Sequence, residues 1–498
     1  MDRAADADVD VRALHGVVSK AVAALTSRTI AYELVVLGGT VTLTRLLGPR
    51  DFGVFAIVQY ALELLVLFGD TGLAGALVRQ REEPTEQQLS TAFYFQLAAS
   101  GILMAAVVAL SPLLPRVWPD LPASAPVLLR VVALNFVIVC VRIPPLLLME
   151  RRFQFAKMAV VDVGASATFF GVAISLAAMG FGVWSLACGV LMQGLFATVA
   201  VFALSHWRPR AVFEWRALRP LLRFGVAQQI RNLFALVNDS VTPIFGGRML
   251  GSTAVGYMNW SRSTAYFPLK VVQILARVGF PLFARLQHDR ALLGESLGRM
   301  IQVSAFATFA WVGLCLGLGE QFTAAVFSAT WLPAVPILMV FAAAIAIGFL
   351  SPLVAVALDA MGRPGLFTRI AIGWTAITWL VAPIATLRWG IIGLAAGYCS
   401  HVVVGNIVVA VVMRRILPET KFWLRVRAPV AGSAAVIAVG RLVLAPYVNG
   451  LITFGLAAIV LTVVYVGVVW LIDGRTLVRA LTVVPGVVDA DAKLERAV

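Results

Sequence analysis

The feature that most constrains this chain is a near-continuous series of apolar runs joined by short connections that carry most of the charge. A hydrocarbon layer about 30 Å thick is crossed by roughly 20 apolar residues in a helix, and the runs here have that length. Inside lipid each backbone N–H and C=O must be satisfied within the protein, which leaves only helices and closed barrels. A barrel needs short strands of alternating polarity, and these runs are long and unbroken. With 60% hydrophobic and 13% charged residues over 498 positions, a soluble domain is excluded. The expected fold is an all-α integral membrane protein with about fourteen transmembrane helices.

The net charge of +15 does not point to nucleic acid, because the basic residues gather in the connections. Counted on alternate sides, the Lys and Arg residues divide roughly 28 to 5, which predicts both termini on the cytoplasmic side. The acidic start, Met1 to Asp10, carries no secretory-signal pattern, and Val11 to Thr26 reads as a cytoplasmic lead-in. Cys140, Cys188, Cys315 and Cys399 each lie in an apolar stretch and form no CxxC, so they read as packing residues. His15, His206, His288 and His401 are scattered without metal-ligand spacing; no metal site and no cofactor is expected.

Two internal echoes divide the chain. Arg45-Leu46-Leu47-Gly48 recurs as Arg248-Met249-Leu250-Gly251, and Gly182-Val183-Trp184-Ser185-Leu186-Ala187 recurs as Gly390-Ile391-Ile392-Gly393-Leu394-Ala395. Both offsets are roughly 200 residues, or six crossings, and an even number gives parallel repeats about an axis along the membrane normal. The expected organisation is a cytoplasmic lead-in (1–28), a six-helix lobe (29–205), a cytoplasmic linker (206–221), a second six-helix lobe (222–413), a terminal pair of helices (414–472) and a cytoplasmic tail (473–498).

Charges within the crossings fall on defined faces. In the eighth predicted crossing (254–283), Asn259, Arg262, Tyr266, Lys270, Gln273 and Arg277 lie within an arc of about 80° and form a stripe about 27 Å long, with Pro268 predicted to kink it. In the seventh (222–245), Gln228, Arg231, Asn232, Asp239 and Thr242 share an arc of about 100°. The second (52–78) places Gln59, Glu63 and Asp70 on one face, and the first (29–47) places Glu33 among threonines. The first repeat is thus acidic where the second is mainly basic. An ionised group at mid-membrane costs roughly 2.5–3.5 kcal/mol on insertion scales, so such groups face a cavity or a partner. Arg142 precedes Pro144-Pro145, where a bent helix is expected.

Several short motifs carry a family resemblance. Leu43-Thr44-Arg45-Leu46-Leu47-Gly48-Pro49-Arg50-Asp51-Phe52-Gly53 is followed by Phe68-Gly69-Asp70-Thr71-Gly72-Leu73 and Gly180-Phe181-Gly182-Val183-Trp184. Next come Gly247-Arg248-Met249-Leu250-Gly251, Phe280-Pro281-Leu282-Phe283-Ala284-Arg285, Trp331 with Ala334-Val335-Pro336, and Gly362-Arg363-Pro364. In this order, over roughly residues 20 to 415, the series resembles the Wzx-like flippases of the multidrug/oligosaccharidyl-lipid/polysaccharide exporter superfamily. One departure stands out: the family often carries Asp six positions before the Arg of its GR-x-LG motif, where this chain has Thr242, with Asp239 one turn earlier.

The resemblance implies two six-helix lobes around a central cavity, an inner-membrane location, and alternating-access transport of an undecaprenyl-pyrophosphate-linked sugar. It also implies membrane lipids, a polysaccharide polymerase and a chain-length regulator as partners. On this expectation Arg231, Arg262, Lys270 and Arg277 hold the pyrophosphate, and Glu33, Glu63 and Asp70 take a coupling proton or cation. The bland alternative is that these charges only pair with one another across the lobes. A drug/cation antiporter of the same superfamily and a membrane polysaccharide polymerase are the competing functions.

Overall fold

The computed structural model describes residues 32–69, 84–152, 154–215, 233, 236–362, 364–417 and 422–494, and every regular element among them is helical. In chain order these are α1 (32–46), α2 (Pro49–Gly69), α3 (Glu86–Leu110), α4 (Ala125–Val141), α5 (Ile143–Arg151), α6 (Phe155–Ala178) and α7 (Val183–Ser205). There follow α8 (Ser252–Ala265), α9 (Leu269–Arg285), α10 (Arg290–Phe322), α11 (Val335–Gly348), α12 (Ser351–Ala360), α13 (Pro364–Ile416), α14 (Phe422–Val439) and α15 (Leu451–Leu494). Among the described residues, eight helical stretches are long and apolar enough to cross a membrane, or ten when two bent pairs each count as one span. The chain is an all-helical, multi-span membrane protein. The predicted first, second and seventh crossings run partly into residues outside those described.

Two compact units divide the chain: Met1–Leu236 with Gly251–Thr253, and Val237–Leu250 with Ala254–Val498. In the first, Leu43 of α1 and Leu47 just after it pack with Ala173 and Ala177 of α6 and Leu186 of α7, and Phe52, Phe169 and Phe170 close the cluster. Small residues on α6 let the helices approach, while the Phe rings fill the gaps left around them. A second cluster joins Met149 of α5 to Val161, Ala165, Ala197 and Val201. In the second unit the largest fully buried side chains include Trp331, Phe283, Phe341 and Phe349.

Both expected bends are present. α4 and α5 meet at 43° beside Pro144-Pro145, and α8 and α9 meet at 55° beside Pro268. Proline has no N–H, so Pro268 cannot donate to the carbonyl of Thr264. Trp311 of α10 supplies the missing donor: its indole N–H reaches the Thr264 carbonyl at 2.8 Å. The bend is thereby satisfied from a neighbouring helix, as a break in a helix at membrane depth requires.

The two sequence echoes differ in how their backbones are built. Gly182 (φ 55°, ψ −132°) and Gly390 (φ 58°, ψ −135°) adopt almost the same left-handed conformation, each just before the repeated apolar segment. At the other echo, Gly251 has φ +83° while Gly48 does not have positive φ. The Gly48 N–H donates to Asp51 within its own turn at 3.2 Å. Ser252, which follows Gly251 and groups with the first unit, donates its N–H and hydroxyl to Asp120 at 2.8 and 2.6 Å. These two bonds, aided by Arg50, hold the Asp120 carboxyl below the ordinary carboxylate value against a smaller opposing effect of burial.

A side chain at Gly390 meets nothing within 4 Å, so substitution there isolates the backbone. Gly390→Ala is expected to cost about 1–3 kcal/mol, because that dihedral region is nearly closed to L-residues. Thermal unfolding in detergent checks this; an unchanged midpoint contradicts it.

Candidate functional site

Of the polar face of the seventh predicted crossing, Asp239 and Thr242 lie among the described residues, Asp239 at the end of a short helical turn. From Val241 to Gly246 the chain runs as a π-helix. Just before this segment the Trp379 indole N–H of α13 reaches the Val237 carbonyl at 2.7 Å. A π-turn widens the helix locally and re-aims the side chains at its start. Asp239 thereby meets Arg262 of α8 and Tyr398 of α13.

These three groups close a triangle. Tyr398 donates its only hydroxyl proton to Asp239 Oδ1 at 2.7 Å. Arg262 Nη1 donates to Tyr398 Oη at 3.1 Å and to the same Asp239 oxygen at 3.3 Å. The guanidinium lies 5.8 Å from the centre of the Tyr398 ring, adding a cation–π contact. The arginine and aspartate side chains are 33% and 52% exposed, so the ion pair by itself is worth little, while the buried tyrosine gives it a fixed geometry. Around it stand Tyr266, edge-on to Phe341 at 5.8 Å, and His401, edge-on to Tyr398 at 5.4 Å. His401 Nδ1 is 2.9 Å from the Thr378 hydroxyl, which also lies 3.0 Å from the Trp374 carbonyl.

α8 is anchored so that Arg262 has little freedom. Ser261 donates to the Ala334 carbonyl at 3.0 Å, and Trp260 stacks on fully buried Trp331 at 5.3 Å. Trp331 and the Ala334-Val335-Pro336 run thus form the wall that positions α8.

Beyond the bend the stripe changes character. Lys270, Gln273 and Arg277 of α9 are exposed. At about 100° per residue they occupy a sector about 60° wide. Val271, Ile274 and Val278 are also exposed and occupy the next sector, while Val272, Gly279 and Phe283 are buried on the third side. α9 therefore has a packed face, an apolar exposed face and a cationic exposed face. Lys270 Nζ sits 5.4 Å from the Phe267 ring centre, which helps hold the ammonium at the bend.

The expected site residues are placed as follows. Arg262 is in the triangle, and Lys270 and Arg277 share the cationic face of α9. Glu33 lies half-buried on α1 and Glu63 is exposed on α2. Arg231 and Asp70 lie outside the described residues. The partner of Arg262 is Asp239, and the two are joined by Tyr398, which the sequence reading did not single out. Among the described residues no group of three or more His, Cys, Asp or Glu side chains could hold a metal ion.

The model of the family described as polysaccharide biosynthesis protein matches residues 42–336. The chain is 27% identical to the teichuronic acid biosynthesis protein TuaB of Bacillus subtilis (strain 168), over 55% of this chain and 56% of that protein. It is 27% identical to the succinoglycan biosynthesis transport protein ExoT of Rhizobium meliloti (strain 1021), over 62% of each. It is 26% identical to the lipopolysaccharide biosynthesis protein WzxC of Escherichia coli (strain K12), over 59% and 60%. The chain thus spans somewhat less than two thirds of these relatives' lengths. Its fold is similar to that of the lipid II flippase MurJ in an inward closed conformation, with TM-score 0.71 at 13% identity over 91% of this chain and all of that one. It is also similar to an inward-facing multidrug resistance MATE family transporter, with TM-score 0.59 at 16% identity over 78% and 95%.

If Tyr398 welds Asp239 to Arg262, the pair is not additive. A double-mutant cycle of Asp239→Asn and Arg262→Gln is expected to give a coupling of about 0.5–3 kcal/mol in thermal or denaturant unfolding, and Tyr398→Phe is expected to shrink it. Additive losses contradict the triangle.

Proposed function

Because the chain belongs to the polysaccharide biosynthesis protein family, we propose that it moves a polyprenyl-pyrophosphate-linked oligosaccharide from the cytoplasmic to the periplasmic leaflet of the inner membrane. The observation that carries this reading is the three-sided character of α9. Lys270 and Arg277 would each cost roughly 2.5–3.5 kcal/mol facing lipid at mid-depth, so a helix that keeps them exposed beside an apolar face borders water on one side and lipid on the other. Such a helix suits a lipid-linked anion, whose pyrophosphate needs cations and whose tail needs hydrocarbon. The names of the relatives, one of them a succinoglycan transport protein, support the same cargo class.

On this reading the chain has about fourteen crossings in two parallel six-helix repeats, with both termini cytoplasmic. Arg231, Lys270 and Arg277 form the anion path and Arg262 lies at its deeper end, released to the ligand when Asp239 exchanges it. Glu33, Glu63 and Asp70 take the proton or cation that resets the carrier. An exporter of organic cations is disfavoured, since the exposed charges on α9 have the wrong sign for that cargo.

A hydrogen bond to a charged group contributes about 1.5–3 kcal/mol, equivalent to roughly 10- to 150-fold in affinity. In proteoliposomes, Lys270→Gln with Arg277→Gln is expected to lower flipping of lipid-linked oligosaccharide by at least the smaller factor, while Lys270→Arg retains part of it. A folded double variant that flips at the normal rate overturns the proposal.

A further inference from the structure

The second unit contains an apolar cavity of about 540 Å³ between α10, α11, α12, α13 and α14, a volume typical of a small-molecule site. Its walls include Phe309 of α10, Ile347 of α11, Val354 of α12, Ala410 of α13 and Val426 of α14. Polarity occurs at two places on its α13 wall. At one, Asn406 is buried with its amide engaged, accepting from the Ser351 hydroxyl at 2.8 Å and donating to the Val402 carbonyl at 2.7 Å. Eight residues further along, about 12 Å at 1.5 Å per residue, stands Arg414, exposed, with its guanidinium 5.9 Å from the centre of the Trp423 ring.

The cavity is therefore directional: hydrocarbon-like along its length and cationic at one end. Several of its lining side chains, among them Ile407, Val411, Trp423 and Leu424, are also exposed on the protein surface. In a multi-span membrane protein such apolar surface faces lipid, so what enters from there is a chain, and the end marked by Arg414 takes its head. Arg415 and Arg427 are exposed on the same two helices but do not line the cavity, so Arg414 is the cation at its end. Basic pockets between transmembrane helices near one membrane surface attract acidic head groups, at about 1 kcal/mol per Lys or Arg.

We infer that this cavity is a resident site for an anionic phospholipid, with an acyl chain between α10, α13 and α14 and the phosphate against Arg414. Along α13, Asn406 and Arg414 are separated by about 12 Å, room for the part of an acyl chain nearest its head, with the remainder in the bilayer. The inference does not depend on what the protein transports. The site belongs to the second unit alone, and none of its residues is among the proposed anion path.

The test uses Trp423 as the reporter. The full-length protein is placed in phosphatidylcholine vesicles containing equal mole fractions of either dibrominated phosphatidylglycerol or dibrominated phosphatidylcholine. The Trp423 signal is taken as the difference from Trp423→Phe. Brominated phosphatidylglycerol is expected to quench it with about fivefold greater apparent affinity, the effect of one arginine at the head group. Arg414→Gln is expected to abolish the preference while leaving quenching by the neutral lipid. Equal quenching by the two lipids in the unaltered protein, a comparison that needs no Arg414 variant, means ordinary boundary lipid and overturns the proposal. Reversal of the quenching by equimolar undecaprenyl phosphate assigns the cavity to the carrier lipid and overturns it equally.

Discussion

Everything in this molecule follows from the cost of leaving a polar group unsatisfied in hydrocarbon. The helices exist because lipid offers the backbone no partners, and an interruption is tolerated where another helix makes good the loss. Pro268 removes a donor, and Trp311 replaces it. Beside Pro243, Trp379 donates to the Val237 carbonyl. In both places an indole N–H from a packed helix accompanies a bend or widening of the kind a single straight span would not tolerate, and in both places a charged residue stands close by in sequence: Arg262 before the first, Asp239 before the second.

The same cost sorts the charges into two kinds. Arg262 is compensated inside the protein, through Asp239 and the shared Tyr398 hydroxyl. Lys270 and Arg277 stay exposed, one sector round the helix from Val271, Ile274 and Val278. A helix with both kinds of exposed face has a natural place between water and lipid, and the proposal of a lipid-linked anionic cargo rests on that. The bend at Pro268 separates the arginine of the triangle on α8 from the exposed cationic face of α9.

Much of this was legible in the sequence for identifiable reasons. Runs of about 20 apolar residues read directly as spans. Pro268 and Pro144-Pro145 marked the two bends because proline's missing N–H acts locally. The echo at Gly182 and Gly390 pointed to a repeated backbone feature, and the two dihedral pairs agree within a few degrees. The triangle was not legible. Tyr398 is separated from Arg262 by 136 residues and from Asp239 by 159, and no periodicity on one helix reveals a partner on another. The polar stripe was read as continuous because a straight helix was used to place it; the 55° bend breaks its phase after Arg262. What remained true beyond the bend was the local face of α9, where only about two turns of phase separate Lys270 from Arg277.

The central claim is that α9 divides water from lipid, and water access to individual positions tests it most directly. Single cysteines in place of Lys270, Gln273 and Arg277, and in place of Val271, Ile274 and Val278, are introduced into a protein whose own four cysteines are replaced, and labelled with a membrane-impermeant maleimide in vesicles opened to both sides. The account predicts labelling at 270, 273 and 277 and protection at 271, 274 and 278. Equal labelling of the two sets, or protection of the cationic set, contradicts it.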